Sequence, residues 1–350
     1  MRPMGPRARE AVETAEAPHP RMTDVLLGHA GAEAALLAAY CSGRIAHAFL
    51  FVGGKGIGKT TLAYRLARFV LAHPDPAVRE VQAATSLAVD KDHPVARRIA
   101  AQAQGDLLVL ERTVNEKGVL RQHIAVDDVR RTVAFFGSTA GEGGWRIAIV
   151  DAVDELNRSS ANALLKILEE PPQRALLLLV SHCPARVPAT LRSRCRTVAL
   201  RPLSQSEVAA ALAAAAGRAP TDAPIIAAAA IAEGSVARGF AFLDEDALAL
   251  RQRVLDLLDR LPAHDADALH VLGDALAGTD PQPLAAFVDT VNAWLSQRVA
   301  GGSGELERLA RLAEAAARIN AAARDAETYN LERRPLVFNV FGLLAEATRG

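Results

Sequence analysis

The 350-residue sequence is poor in cysteine and in aromatic residues. Cys41, Cys183 and Cys195 lie far apart and none belongs to a Cys-x-x-Cys pair, so the spacing predicts neither a disulfide framework nor a zinc knuckle. Isolated cysteines of this kind are typical of a reduced, cytoplasmic compartment. Trp145 and Trp294 have no aromatic neighbours in sequence, which argues against a surface on which nucleic-acid bases stack.

Long apolar runs and a net charge are also missing. No segment has the roughly 18 consecutive apolar residues that a membrane helix requires, and the first twenty-odd residues lack the apolar run of a secretory signal. We therefore expect residues 1–22 to form a disordered tail and the protein to have no membrane partner. With 40 basic and 40 acidic residues, bulk positive charge does not predict nucleic-acid binding.

The first 200 residues contain an alternation of short apolar runs and helical patterns. Buried strands are predicted at 48–52, 107–110, 147–150 and 176–180. Helices between them, such as 59–72, predict a parallel sheet covered by helices on both faces, whereas the stretch 73–104 gives no clear pattern. Beyond Arg201 the pattern is almost wholly helical. We expect an α/β core at 23–201, a small helical lid at 202–245 and an all-α C-terminal domain at 246–350.

A glycine-rich loop separates the first predicted strand from the helix 59–72. It reads Gly53-Gly54-Lys55-Gly56-Ile57-Gly58-Lys59-Thr60, followed by Thr61, and matches G-x-x-x-x-G-K-(S/T). The glycines let backbone N–H groups converge on phosphate oxygens, and the helix N-terminus adds a positive dipole. In this motif the lysine contacts the β and γ phosphates and the hydroxyl holds Mg²⁺. The loop therefore predicts a nucleotide site.

Asp151 ends the strand 147–150 and is predicted to complete the magnesium site with Thr60. Hydrolysis also requires a group that orients the attacking water, but the next residue is Ala152, whose methyl group cannot accept a proton. Asp154 and Glu155 could in principle replace it, although hydrolytic geometry tolerates little displacement. We expect ATP binding with weak or no hydrolysis by this chain.

Arg194 is the candidate catalytic residue. It lies in Ser193-Arg194-Cys195, beyond the strand 176–180 and a turn through Pro184 and Pro188. A guanidinium stabilises the charge that spreads over a transferred phosphoryl group, and such arginine fingers often act on a neighbouring subunit. From the residues alone, a surface arginine beside a buried cysteine fits equally well.

Several blocks resemble the AAA+ clamp-loader subunits of bacterial DNA polymerase III. They are 44–51 before the loop, 160–166, Leu168-Glu169-Glu170-Pro171-Pro172 and 193–195; residues 162–172 are the most specific. The resemblance is strong over about 25–203 and fades beyond. It implies a pentameric loader, part of the polymerase holoenzyme, that places a sliding clamp on primer–template DNA. A stator subunit would present Arg194 to the ATP of the adjacent motor, with gamma/tau and delta subunits as partners and the C-terminal helices as a collar.

The sequence departs from the motor subunits of that family at several positions. Motors usually carry a Glu where this chain has Ala152, and often a four-cysteine zinc module where residues 71–106 contain no cysteine, so no zinc is predicted. The lid arginine of Gly-Ser-x-Arg stands one place late, as Arg238, which turns its side chain by about 100°. His182 falls where motors tend to have a polar sensor, and a histidine there fits a structural group as well as it fits a phosphate sensor. These differences favour a stator over a gamma/tau-type motor ATPase.

Two further alternatives remain open. An unrelated P-loop enzyme, such as a nucleotide kinase, would form a compact single domain, and the long helical C-terminal half argues against it. A purely structural subunit with an idle phosphate loop differs from the stator hypothesis only in whether ATP binds.

Overall fold

A computed structural model describes residues 17–113, 121, 123–124, 126–137, 144–263, 265–278, 281–300, 306–329 and 331–349. Five strands in these ranges form one parallel sheet: β1 (Ala48–Val52), β2 (Leu107–Glu111), β3 (Arg146–Asp151), β4 (Ala175–Ser181) and β5 (Arg196–Ala199). Their order is β2-β3-β4-β1-β5. The predicted parallel sheet with helices on both faces is confirmed.

The helices of the core flank this sheet. They are α1 (Ala30–Cys41), α2 (Lys59–Ala72), α3 (Arg79–Gln82), α4 (Pro94–Ala100), α5 (Val126–Gly137), α6 (Arg158–Glu169) and α7 (Ala189–Arg192). Alternate residues of β1 pack into two separate apolar layers, Phe49 and Phe51 into one and Leu50 into the other. Strand β4 lies between neighbours and is buried along its whole length, which is why its sequence is a continuous apolar run rather than an alternating one.

Strand β5 and a short N-terminal helix are absent from the sequence prediction. Strand β5 pairs only with β1 and is largely exposed, so its polar sequence lacks the apolar run of a buried strand. The predicted tail 1–22 is wrong at its end, because Pro20–Met22 form a 3₁₀ helix. Arg68 of α2 is buried and donates to the carbonyls of Arg21 and Thr23, which hold this segment in place. Residues 1–16 lie outside the described residues.

The stretch 73–104, which had no clear pattern, folds as α3 and α4 against α1 and α2. Glu33 of α1 accepts hydrogen bonds from Arg65 Nε at 3.1 Å and from the backbone N–H of Leu87 at 3.0 Å. One carboxylate thereby links α1, α2 and this stretch. Among the described residues, no three His, Cys, Asp or Glu side chains cluster in a way that could hold a metal ion.

The C-terminal half is helical, as predicted. The lid contains α8 (Gln205–Ala216), α9 (Ala223–Ile231) and α10 (Val236–Ala241); beyond it lie α11 (Glu245–Leu258), α12 (Ala266–Ala275), α13 (Pro281–Ala300), α14 (Leu306–Tyr329) and α15 (Arg333–Thr348). The lid shares the apolar core of α1 and α2, against which Leu243 and Leu248 also pack, whereas a separate core begins at Leu250. This change of core falls beside the predicted boundary at 245. None of the helices in the described ranges is long and apolar enough to cross a membrane.

A reciprocal pair of amides joins α13 to α14. Asn292 Nδ2 donates to Asn320 Oδ1 at 2.9 Å, and Asn320 Nδ2 donates to Asn292 Oδ1 at 3.0 Å. Both residues are half-buried. Replacing Asn320 by Ala is expected to lower the free energy of unfolding by about 1–2 kcal/mol, because the Asn292 amide loses its partner. Chemical denaturation measures this, with Thr328→Ala on the exposed end of α14 as the control. Equal stabilities of both variants would contradict the assignment.

Candidate nucleotide site

The glycine-rich loop joins the carboxyl end of β1 to the first turn of α2. Gly58 is the N-cap of α2 with φ +100°, a conformation that L side chains rarely adopt. At Gly53 a Cβ atom would lie 2.6 Å from the carbonyl oxygen of Leu200, so only glycine fits there. The strand, the loop and the helix therefore have the arrangement in which a helix N-terminus can bind phosphate.

Lys59 is the charged centre of the loop. Lys59 is only 2% exposed, and its ammonium donates a hydrogen bond to the carbonyl of Gly54. Burial lowers the pKa of Lys59 to about 8, and the charges of Asp151 and Asp154 oppose that shift. A buried cation without an adjacent carboxylate is unfavourable by itself. An anion bound at the loop would compensate it.

Thr60 and Asp151 are brought together. The Thr60 hydroxyl donates to Asp151 Oδ2 at 2.7 Å, across the carboxyl ends of β1 and β3. A hydroxyl beside a carboxylate presents the hard oxygen ligands that Mg²⁺ prefers. The two residues proposed for the metal therefore fit one ion between them and a phosphate.

A cavity of about 680 Å³ opens at the loop. A volume of this size suits a small-molecule ligand. Of the predicted binding residues, Gly56, Gly58, Lys59, Thr60 and Thr61 line it, whereas Gly53 and Gly54 do not. The rest of the wall comes from a segment that we call the strap, residues 17–27, from His182, and from Leu203, Ala211, Ala214, Ala215, Val236, Ala237 and Phe240 of the lid.

The lid contacts the loop directly. The backbone N–H groups of Val236 and Ala237 donate to the Gly56 carbonyl at 2.9 and 3.4 Å. Gly56 has φ +75°, and a Cβ atom there would lie 2.7 Å from the Ala237 Cβ. The lid thus rests on the middle of the loop, with backbone groups rather than a charged side chain at the contact.

Arg238 turns away from the loop. It donates to Glu233 Oε2 at 2.6 Å, and it lines a second cavity of about 670 Å³ between α10, α11 and α13. The side chain does not line the cavity at the loop. This placement agrees with the one-residue offset in the sequence.

The two acids that could replace a catalytic glutamate are both engaged. Asp154 accepts hydrogen bonds from the Ser181 hydroxyl at 2.6 Å and from the N–H groups of His182 and Cys183 at 2.5 and 3.0 Å. Glu155 forms an ion pair with Arg112 at 2.8 Å. Burial raises the pKa of Glu155, and Arg112 opposes that shift. Asp154 therefore supports the turn after β4, and neither carboxylate is free to orient water.

Two histidines lie close to the site, His182 beside Asp151 and His29 beside the loop. His182 Nε2 lies 3.8 Å from Asp151 Oδ1, and burial together with Lys59 lowers the pKa of His182. A neutral imidazole follows at pH 7. His29, which the sequence analysis missed, is 4% exposed and its Nε2 lies 2.7 Å from the Ile57 carbonyl oxygen, so it braces the loop. No sequence pattern signals that contact, which spans 28 residues.

Arg194 lies at the opposite edge of the sheet from the loop. It precedes β5, whose first residue, Arg196, pairs with Phe49 near the start of β1. The loop follows the end of β1, at least about 10 Å away along the strand direction. Arg194 is exposed and forms an ion pair with Glu169 at 2.8 Å. This position separates the guanidinium from the phosphate loop of the same chain and leaves it exposed to solvent.

The parallel sheet, the phosphate loop and the helical lid define a P-loop protein of the AAA+ class, followed by an all-α C-terminal domain. A family model described as DNA polymerase III, delta subunit, matches residues 28–204, just over half of the chain. The chain belongs to that family.

Individual relatives agree with this assignment. DNA polymerase III subunit delta' of Pseudomonas aeruginosa is 37% identical over 150 residues, 43% of this chain and 42% of that protein. Subunit tau of Escherichia coli is 31% identical over 166 residues, 47% of this chain and 23% of that protein. The chain thus matches less than half the length of either relative. Among solved structures, the Thermotoga maritima RuvB Holliday junction branch migration motor covers 92% of this chain and 91% of its own, with 18% identity and a TM-score of 0.44.

Proposed function

We propose that this chain is the delta-prime, or stator, subunit of a DNA polymerase III clamp loader, which helps to load the sliding clamp onto primed DNA. The observation that carries the proposal is a phosphate-binding loop with its lysine in place beside a position, Ala152, that cannot activate water. Membership of the DNA polymerase III delta family supports it. The subunit would hold a nucleotide and contribute to hydrolysis elsewhere.

The nucleotide proposed for the pocket is ATP with Mg²⁺. Lys59 would contact its β and γ phosphates, the N–H groups of the loop would surround the phosphates, and Thr60 with Asp151 would hold the metal. The exposed apolar side chains of Met22 and Val25 on the strap would gain burial against the base. We expect little hydrolysis by the isolated chain, because Asp154 and Glu155 are engaged elsewhere.

The partners proposed are the gamma/tau and delta subunits, with the sliding clamp and primer–template DNA reached through the complex. Arg194 would act as an arginine finger in trans, on the ATP of the adjacent motor. Its exposed position at the far edge of the sheet supports this role. The helical domain 246–350 would join the collar, and a cytoplasmic location accords with such partners.

Reconstitution tests the proposal. The full chain, mixed with purified gamma/tau and delta subunits, is expected to enter one stable complex whose ATP turnover is stimulated by clamp and primed DNA. Light scattering after gel filtration measures assembly, and phosphate release measures turnover. A chain that stays outside the complex refutes the stator role. Turnover by the isolated chain at the rate of a motor would instead favour the gamma/tau-type alternative.

A further inference from the structure

The polar groups that line the nucleotide cavity serve the α and β phosphates and the metal better than they serve the γ phosphate. The loop N–H groups would serve the α and β phosphates, Lys59 the β and γ phosphates, and the Thr60–Asp151 pair the metal. All of these groups are in position. Further groups that would favour a triphosphate over a diphosphate would come from the lid or from the segment after β3.

The lid does not supply such a group. On α10, Val236, Ala237 and Phe240 line the nucleotide cavity, whereas Arg238 lines the adjoining cavity, which shares Ala237 and Phe240 with the first. The Arg238 guanidinium is neutralised by Glu233 at 2.6 Å. Glu233 also accepts from Gln297 Nε2 of α13 at 3.4 Å, so the arginine belongs to the junction between the lid and the C-terminal domain.

The segment after β3 does not supply one either. Ala152 offers a buried methyl group, Asp154 is bound by three donors, and Glu155 is paired with Arg112. Among the described residues that line the cavity, we assign two side chains, Lys59 and His182, to the γ end of the nucleotide. Lys59 also serves the β phosphate, and His182 is directed to the Asp151 carboxylate, with its Nε2 3.8 Å from Asp151 Oδ1.

We propose that this pocket binds the magnesium complex of a nucleoside diphosphate as tightly as that of the triphosphate, so that the nucleotide is a structural ligand and not a switch. The inference rests on the nucleotide-binding part of the proposed function. The lid accords with it, because its backbone contacts to Gly56 involve no phosphate. A pocket of this kind keeps one lid position whichever nucleotide is bound, since a ligand shifts a conformational equilibrium only through differential contacts.

Calorimetry on the full chain tests the proposal, with MgADP and MgATP as probes. The two dissociation constants are expected to agree within about threefold, whereas a dedicated charged contact to the γ phosphate would separate them by roughly tenfold or more. ATP binding at least tenfold tighter than ADP overturns the proposal. Absence of binding by either nucleotide overturns it together with the nucleotide half of the proposed function, while the assembly experiment decides the stator role separately.

Arg238→Ala sharpens the test, because the side chain faces the other cavity. Both affinities are expected to stay within about twofold of the wild-type values. A selective loss of affinity for ATP would show that Arg238 reaches the γ phosphate and would overturn the proposal. Thermal melting checks that the lid remains folded. Should Arg238→Ala melt early, Arg238→Gln, which keeps a donor for Glu233, takes its place with the same expectation.

Discussion

Replacing Arg194 by alanine is expected to lower the ATP turnover of the reconstituted clamp loader by roughly 10³-fold, the low end of the effect of an arginine finger. The physical reason is electrostatic, because a guanidinium placed at the γ phosphate of a neighbouring subunit stabilises the charge of the transition state. We propose no other side chain at this edge of the sheet that would replace Arg194. Assembly and the melting temperature of the chain should stay unchanged, since Arg194 is exposed and its ion pair with Glu169 is a surface contact. Phosphate release under saturating clamp and primed DNA measures the effect.

Arg192→Ala is the matched control for this experiment. Arg192 lies in α7, two residues before the finger, is also exposed, and makes only one long contact of 3.4 Å to the Pro184 carbonyl. Turnover within about threefold of wild type is expected for it. Equal losses in both variants would assign the effect to the general basic charge of this edge. An unchanged turnover in Arg194→Ala, with the complex intact, would refute the finger.

The phosphate loop could be read from the sequence because its determinants are local. Eight consecutive residues, the strand before them and the helix after them fix both the backbone path and the position of Lys59. The buried strand β4 could also be predicted from the sequence, since a strand covered on both faces is a continuous apolar run. Asp151 followed from the same argument, because the carboxyl ends of parallel strands meet at one edge.

Other parts of the site depend on contacts between distant residues. The strap is held by Arg68, more than forty positions away, and nothing in residues 17–24 signals that contact. Strand β5 has one neighbour and an exposed polar sequence, so periodicity does not mark it. For Asp154 the sequence offered a possible base, and only the fold shows its three donors after β4. Local sequence patterns therefore predict the phosphate loop, whereas tertiary packing decides which charged side chains are available to act on a ligand.

Those contacts place Lys59 and Arg194 in opposite environments. Lys59 is enclosed at the carboxyl edge of the sheet, where low exposure strengthens its attraction for a phosphate. Arg194 lies exposed at the amino edge, where its present partner, Glu169, is a solvent-accessible carboxylate that an incoming phosphate can displace. A single sheet thus separates the group that would hold a nucleotide in this subunit from the group that would act on another.

Lys59→Ala is expected to produce the largest change in the isolated chain, a loss of nucleotide affinity of roughly 30-fold or more. Truncating one member of a buried charge pair costs about 2–5 kcal/mol, and a factor of ten in affinity corresponds to about 1.4 kcal/mol. Stability should respond in the opposite direction. Burial lowers the pKa of Lys59 to about 8, so the ammonium is unfavourable in the ligand-free fold, and its removal should leave the melting temperature unchanged or raised.

Lys55→Ala provides the matched control for this prediction. Lys55 belongs to the same loop and carries the same formal charge, but it is exposed and does not line the cavity. Its replacement is expected to change affinity by less than about threefold, through screened long-range attraction alone. Calorimetry with MgADP measures both variants. Comparable losses would mean that the loop attracts nucleotide through its overall charge, and a Lys59→Ala variant that binds like wild type would show that the buried ammonium does not contact phosphate.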